Sequence, residues 1–130
     1  MPIDAARLAP GRRLRVGYLS PDFRNHPVAS FIAPILSRHE RSRFEVFCYY
    51  TDKRQDETTV SLKRDVEHWH QLGDIADDDL ERILRKDQLD ILVELAGHSA
   101  RQRLPVLARR VAPAQVTLPR LPQHDRHSRN

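Results

Sequence analysis

The feature that most constrains the fold is a repeated change of hydrophobic period along the chain. Short apolar runs of strand length alternate with stripes spaced three and four residues apart, and turn residues separate them. Residues 14–19 have the length and apolar content of a buried strand, ended by Ser20, Pro21 and Asp22. Val28, Phe31, Ile32, Ile35 and Leu36 then mark one face of an amphipathic helix. Asn25 or His26 can cap it, Pro27 suits its first position, and Pro34 within the stripe predicts a kink. Residues 43–50 form a second strand and residues 51–59 a polar loop. Leu62, Val66 and Trp69 continue at helical spacing, and residues 69–72 make a short third strand closed by Gly73. Asp77 caps a helix carrying Leu80, Ile83 and Leu84, with acidic residues in its first turn and basic ones in its last. A strand over 91–95, a tight exit at Ala96-Gly97-His98-Ser99, a short helix over 104–110 and a strand over 114–117 complete the pattern.

Five strands alternating with four helices predict an α/β fold, a parallel sheet flanked by helices on both faces. Ligands of such sheets gather at the carboxyl ends of the strands, so the loops after residues 19, 50 and 95 are where chemistry is expected. Two of these loops carry a histidine. His26 precedes a helix, where an imidazole can take a proton near neutral pH, hydrogen-bond a substrate oxygen, or simply cap the helix. Asp22 can orient it, accept a substrate hydroxyl, or form an Asx turn. His98 leaves the fourth strand on the same edge, and Gly97 permits positive φ or close backbone approach.

Composition narrows the alternatives. The chain has 130 residues, one domain's worth, and its single cysteine, Cys48, excludes an internal disulfide or thiolate zinc site. His68 and His70 would face one way on a strand, but no third ligand accompanies them, so no metal is expected. No run suits a membrane span or a signal peptide, which gives a cytoplasmic expectation without membrane contact. The net charge is +4. Arg120, Arg126 and Arg129 against Asp125 alone put about half of it in residues 118–130, while charges of both signs alternate through the middle. Nucleic acid is therefore not the expected partner. Neither a G-x-G-x-x-G nor a Walker pattern occurs.

Four segments in register resemble one family: R-V-G-Y-L-S-P-D-F-R-N-H-P-V-A at 15–29, R-F-E-V-F-C-Y-Y at 43–50, D-I-L-V-E-L-A-G-H-S at 90–99 and A-P-A-Q-V-T at 112–117. They are similar to the amino-terminal half of the catalytic region of O-linked N-acetylglucosamine transferases, Spindly-type and bacterial members included. The resemblance implies a Rossmann-like fold, a single lobe of a two-lobe glycosyltransferase. It also implies inverting transfer of a sugar from UDP-N-acetylglucosamine or another nucleotide-sugar donor to a Ser or Thr hydroxyl of a protein acceptor, with no metal or other cofactor. His26 matches the family's N-H-P histidine and His98 its G-H-[ST] histidine, both cleft residues and the expected catalytic pair, the former a proposed base or acceptor-side contact. Asn25, Pro27, Asp22 and Gly97 lie in the same motifs and are the expected substrate-binding residues.

Residues 1–13 read as a linker and 14–117 as the lobe. After residue 117 the family continues with an aromatic and L-G-Y-P-x-T-T-G, a motif that the codons from 118 onward permit one base later. Residues 118–130 are therefore expected to be a frameshifted, disordered tail on a truncated lobe, inactive alone because most nucleotide contacts in this family come from the second lobe. The alternative is a non-catalytic binding module whose basic tail contacts an acidic protein or nucleic acid.

Overall fold

The computed structural model describes residues 12–95 and 103–118. The elements run β1 (Leu14–Ser20), α1 (Pro27–Arg38), β2 (Phe44–Tyr50), α2 (Glu57–Arg64), β3 (His68–Gln71), α3 (Asp77–Asp87), β4 (Ile91–Glu94), α4 (Leu104–Ala108) and β5 (Ala114–Thr117). The strands form one sheet in the order β3-β2-β1-β4-β5, with every neighbouring pair parallel. This is the expected α/β, Rossmann-like architecture. No helix among the described residues is long and apolar enough to cross a membrane.

The pleat divides the core in two. Val16 and Tyr18 of β1 and Val46, Cys48 and Tyr50 of β2 turn to the face covered by α1 and α2, where they meet Val28, Ile32, Leu36 and Leu62. Leu19, Phe47, Tyr49 and Leu92 turn to the opposite face, against Leu80 and Leu84 of α3 and Val106 and Leu107 of α4. A strand buried on both faces must be apolar at successive positions, which is why β1 and β2 read as continuous runs. Gly17 marks a close approach: a Cβ there would lie 2.6 Å from Leu89 Cδ1 and 2.9 Å from Tyr49 Cε2.

Several local expectations are corrected. α1 buries Val28, Ala29, Ile32 and Leu36, but Phe31 and Ile35 stand exposed, so its packed stripe is narrower than its apolar one. α2 starts at Glu57, inside the expected loop, because Asp56 and Thr59 close a reciprocal capping box. β3 contains Trp69 as expected but runs His68–Gln71, one residue earlier than read, pairing with β2 from Phe47↔His68 to Tyr50↔Gln71. The N-cap of α3 is Ala76, and Asp77 is its first helical residue. Arg12 and Arg13, within the expected linker, are tied down: Arg12 pairs with Asp90 at 2.8 Å and Arg13 with Glu67 at 2.9 Å.

His39, at the C-cap of α1, packs edge-on to Phe44 and lies with its Nε2 2.7 Å from the Tyr18 hydroxyl. Burial, and secondarily the Arg41 guanidinium, lowers its pKa from the ordinary 6.5. The unfolded chain therefore takes this proton more readily than the folded one. The stability is complete above the unfolded pKa and is lost as pH falls from there toward the folded value. Between about pH 7.5 and about pH 5.5, urea midpoints should fall more steeply for the native chain than for His39→Gln. Parallel slopes would refute the assignment.

Candidate functional site

The sheet order reverses between β1 and β4: the chain leaves β1 for β2 on one side and β4 for β5 on the other. Connections diverge at such a point and leave a crevice beyond the carboxyl ends of the two strands. The β1 exit is pinned there. The Leu95 N–H donates to the Leu19 carbonyl at 2.8 Å, and the buried Ser20 hydroxyl donates to the Leu95 carbonyl at 3.1 Å. The Asp22 N–H in turn donates to Ser20 Oγ at 3.0 Å, which turns the chain out of the strand.

Phe23 anchors the loop. Its side chain is fully buried, with ring centroids 5.8 Å from Tyr50 and 5.7 Å from Trp69. Two bonds from the start of α2 clasp the backbone on either side. The Thr59 hydroxyl donates to the Phe23 carbonyl at 2.7 Å, and Asp56 Oδ2 accepts from the Asn25 N–H at 2.9 Å. The Asn25 N–H, with the Thr59 N–H next, holds the Asp56 carboxyl below its usual pKa. Thr59→Val keeps the shape but leaves the buried Phe23 carbonyl without this partner. It should cost about 1–3 kcal/mol in urea unfolding, and a change under about 0.5 kcal/mol would show that the clasp is not needed.

His26 ends the loop. Its backbone is extended, and its Nδ1 accepts from the Val28 N–H at 3.0 Å, so it is the N-cap of α1, with Pro27 as the first helical residue. Its Nε2 lies 3.7 Å from Oδ2 of Asp22, whose other oxygen is 3.4 Å from the Arg24 guanidinium. Asp22 is buried, whereas the His26 side chain is about one-third exposed, at 32%. Asp22, Asn25, His26 and Pro27 are thus gathered on one short loop. Gly97 and His98 lie outside the described residues; the chain leading to them passes beside the β1 exit as far as Leu95.

Three participants were missed from sequence. Asp56 and Thr59 act from α2, signalled only by their three-residue spacing. Glu94 is a buried carboxylate at the last position of β4, beside Leu19 in the ladder. The H-x-H pair does share one side. His68 meets Glu45 at 2.7 Å and stacks on Phe47, while His70 meets Asp87 at 3.0 Å and stacks on Tyr49. Among the described residues no cluster of three metal-ligating side chains occurs. Cys48 is fully buried, and burial raises its thiol pKa far above the ordinary value, as in an inert core residue. A hollow of about 520 Å³ opens between Leu89 and Val111, at the amino ends of β4 and β5 and so at the opposite end of the sheet.

The model of Glycosyl transferase family 41 matches residues 3–124. The chain is 36% identical over 112 residues to the probable UDP-N-acetylglucosamine–peptide N-acetylglucosaminyltransferase SPINDLY of Arabidopsis thaliana, a match covering 83% of this chain and 12% of that protein. To the UDP-N-acetylglucosamine–peptide N-acetylglucosaminyltransferase of Caenorhabditis elegans it is 36% identical, over 82% of this chain and 9% of that one. A solved structure of a mutant O-GlcNAc transferase from Thermobaculum terrenum superposes with a TM-score of 0.78 at 42% identity, covering 84% of this chain and 21% of the other. The chain therefore spans about an eighth of the length of the plant relatives it matches.

Proposed function

Since the chain belongs to glycosyl transferase family 41, we propose that it supplies the acceptor-side half of a sugar-transfer cleft, the amino-terminal catalytic lobe of a protein O-linked N-acetylglucosamine transferase. The supporting observation is the segment 25–27: it leaves β1 at the switch point of the sheet and presents His26 beside the buried Asp22. In the reaction, the oxygen of a Ser or Thr hydroxyl bonds to the anomeric carbon of the donor sugar as the carbon–oxygen bond to the diphosphate breaks. The nucleoside diphosphate leaves with the bonding pair, the hydroxyl proton passes to a base, and the configuration inverts. Such a step needs oriented donors where oxygen charge develops and a loop held rigidly enough to keep them in place. The clasp from Asp56 and Thr59 supplies that rigidity. In this reading Gly97 and His98 join from the β4 exit, and the nucleotide is held by protein beyond this chain.

Incubated with UDP-N-acetylglucosamine and an acceptor protein, the chain alone should transfer no sugar, and measurable transfer would overturn its dependence on a second lobe. The function itself is tested by a chimera in which residues 14–117 replace the matching segment of the Thermobaculum transferase. Transfer should persist and fall at least about tenfold with His26→Ala. An inactive but folded chimera would refute the reading. Sequencing the coding DNA beyond the Val116 codon tests the frameshift: L-G-Y-P-N-T-T-G in the next frame supports it, and nonsense there refutes it.

A further inference from the structure

His26 has two ring nitrogens, and the fold has already assigned one of them. Nδ1 receives the Val28 N–H at 3.0 Å, in the N-cap geometry of φ −158° and ψ 152°. A nitrogen that accepts a hydrogen bond must present a lone pair, so a neutral ring in this position carries its proton on Nε2. The other tautomer would set an Nδ1–H against the Val28 N–H and leave that helix amide unsatisfied. A second proton could enter only at Nδ1, the capping atom, and would abolish the cap. From this geometry we infer that His26 serves the cleft as a hydrogen-bond donor through Nε2–H and not as the base that removes the acceptor proton.

The arrangement around the ring supports the same role. Nε2 faces the side of the loop occupied by Asp22, whose buried Oδ2 is 3.7 Å away and carries no proton to give when ionised. The bond from the Val28 N–H to Nδ1 fixes the plane of the ring and with it the direction of Nε2. Phe23, Thr59 and Asp56 fix the backbone from which the ring projects. The oxygen that receives the Nε2–H is a substrate oxygen only on the transferase reading above. The tautomer itself follows from the helix cap and does not depend on that reading.

The test is a long-range 1H–15N correlation spectrum of the 15N-labelled chain at about pH 8, where an ordinary imidazole is neutral. The expected result is an unprotonated Nδ1 and a protonated Nε2 for His26, in about tenfold excess over the other form. A spectrum dominated by Nδ1–H, or an even mixture, would overturn the inference. Hydrogen exchange at the Val28 amide gives a second measurement. His26→Ala should speed it about tenfold, whereas His26→Asn, which can both cap and donate, should leave it within about twofold. Equal acceleration in both variants would also overturn it. If His26→Ala does not fold, the native spectrum and the Asn variant still decide. Both measurements omit donor and acceptor, so a failed transfer assay leaves them standing, and a failed tautomer assignment leaves the family reading intact.

Discussion

Phe23→Ala is expected to destabilise the chain by about 3–5 kcal/mol in urea unfolding, although the residue lies in a loop. Its ring is as buried as any in the core, wedged against Tyr50 and Trp69. Truncation removes the whole ring from water-excluded packing and opens a cavity between two large aromatics that cannot collapse without moving β2 and β3. The loop then loses its aromatic anchor, and the hydrogen bonds from Thr59, Asp56 and Ser20 must hold its backbone. The slow exchange of the Val28 amide should be lost with it. Phe23→Leu, which retains most of the volume, should cost less than half as much. An Ala variant within about 1 kcal/mol of the native chain would mean that the loop is not anchored through its aromatic.

Asp90→Ala should be the most damaging change among the charged residues, at about 2–4 kcal/mol. Asp90 is buried just before β4, where its carboxylate accepts two bonds from the Arg12 guanidinium, at 3.0 and 2.8 Å, and one from the Arg15 N–H at 2.8 Å. It joins the start of β1 to the start of β4, the two strands that frame the switch point. Alanine leaves a partly buried guanidinium and a strand N–H without this acceptor, and breaking such a pair costs more than forming it gains. Asp90→Asn retains an acceptor for the Arg15 N–H and should recover about half of the loss. Equal losses in the two variants would place the whole effect on the charge.

The element order was legible because periodicity is a local property. The strand over 114–117 and the helix carrying Leu80 and Leu84 can be read from a dozen neighbouring residues each. The N-cap of α1 was legible only as a choice between Asn25 and His26, because both side chains can accept from a helix N–H. The extended backbone of His26 and its bond to Val28 decide it. The exposure of Phe31 and Ile35 was not legible, since an apolar stripe says which side of a helix could be buried and not how far its neighbours extend. The clasp of Asp56 and Thr59 on residues 23–25 joins positions 31 and 36 apart, and nothing in either segment names the other.

The sequence by itself determined the α/β class, the run of nine elements, the family and the loop on which to seek chemistry. These depend on spacing and motif, which are written along the chain. Only the tertiary structure decided the strand order β3-β2-β1-β4-β5, the layer each helix covers, the anchoring of Phe23 and the nitrogen of His26 that caps α1. Each of these is settled by contacts between residues distant in sequence, or by the direction of a single hydrogen bond. Residue type limits such contacts without selecting among them; packing and hydrogen-bond geometry make the selection.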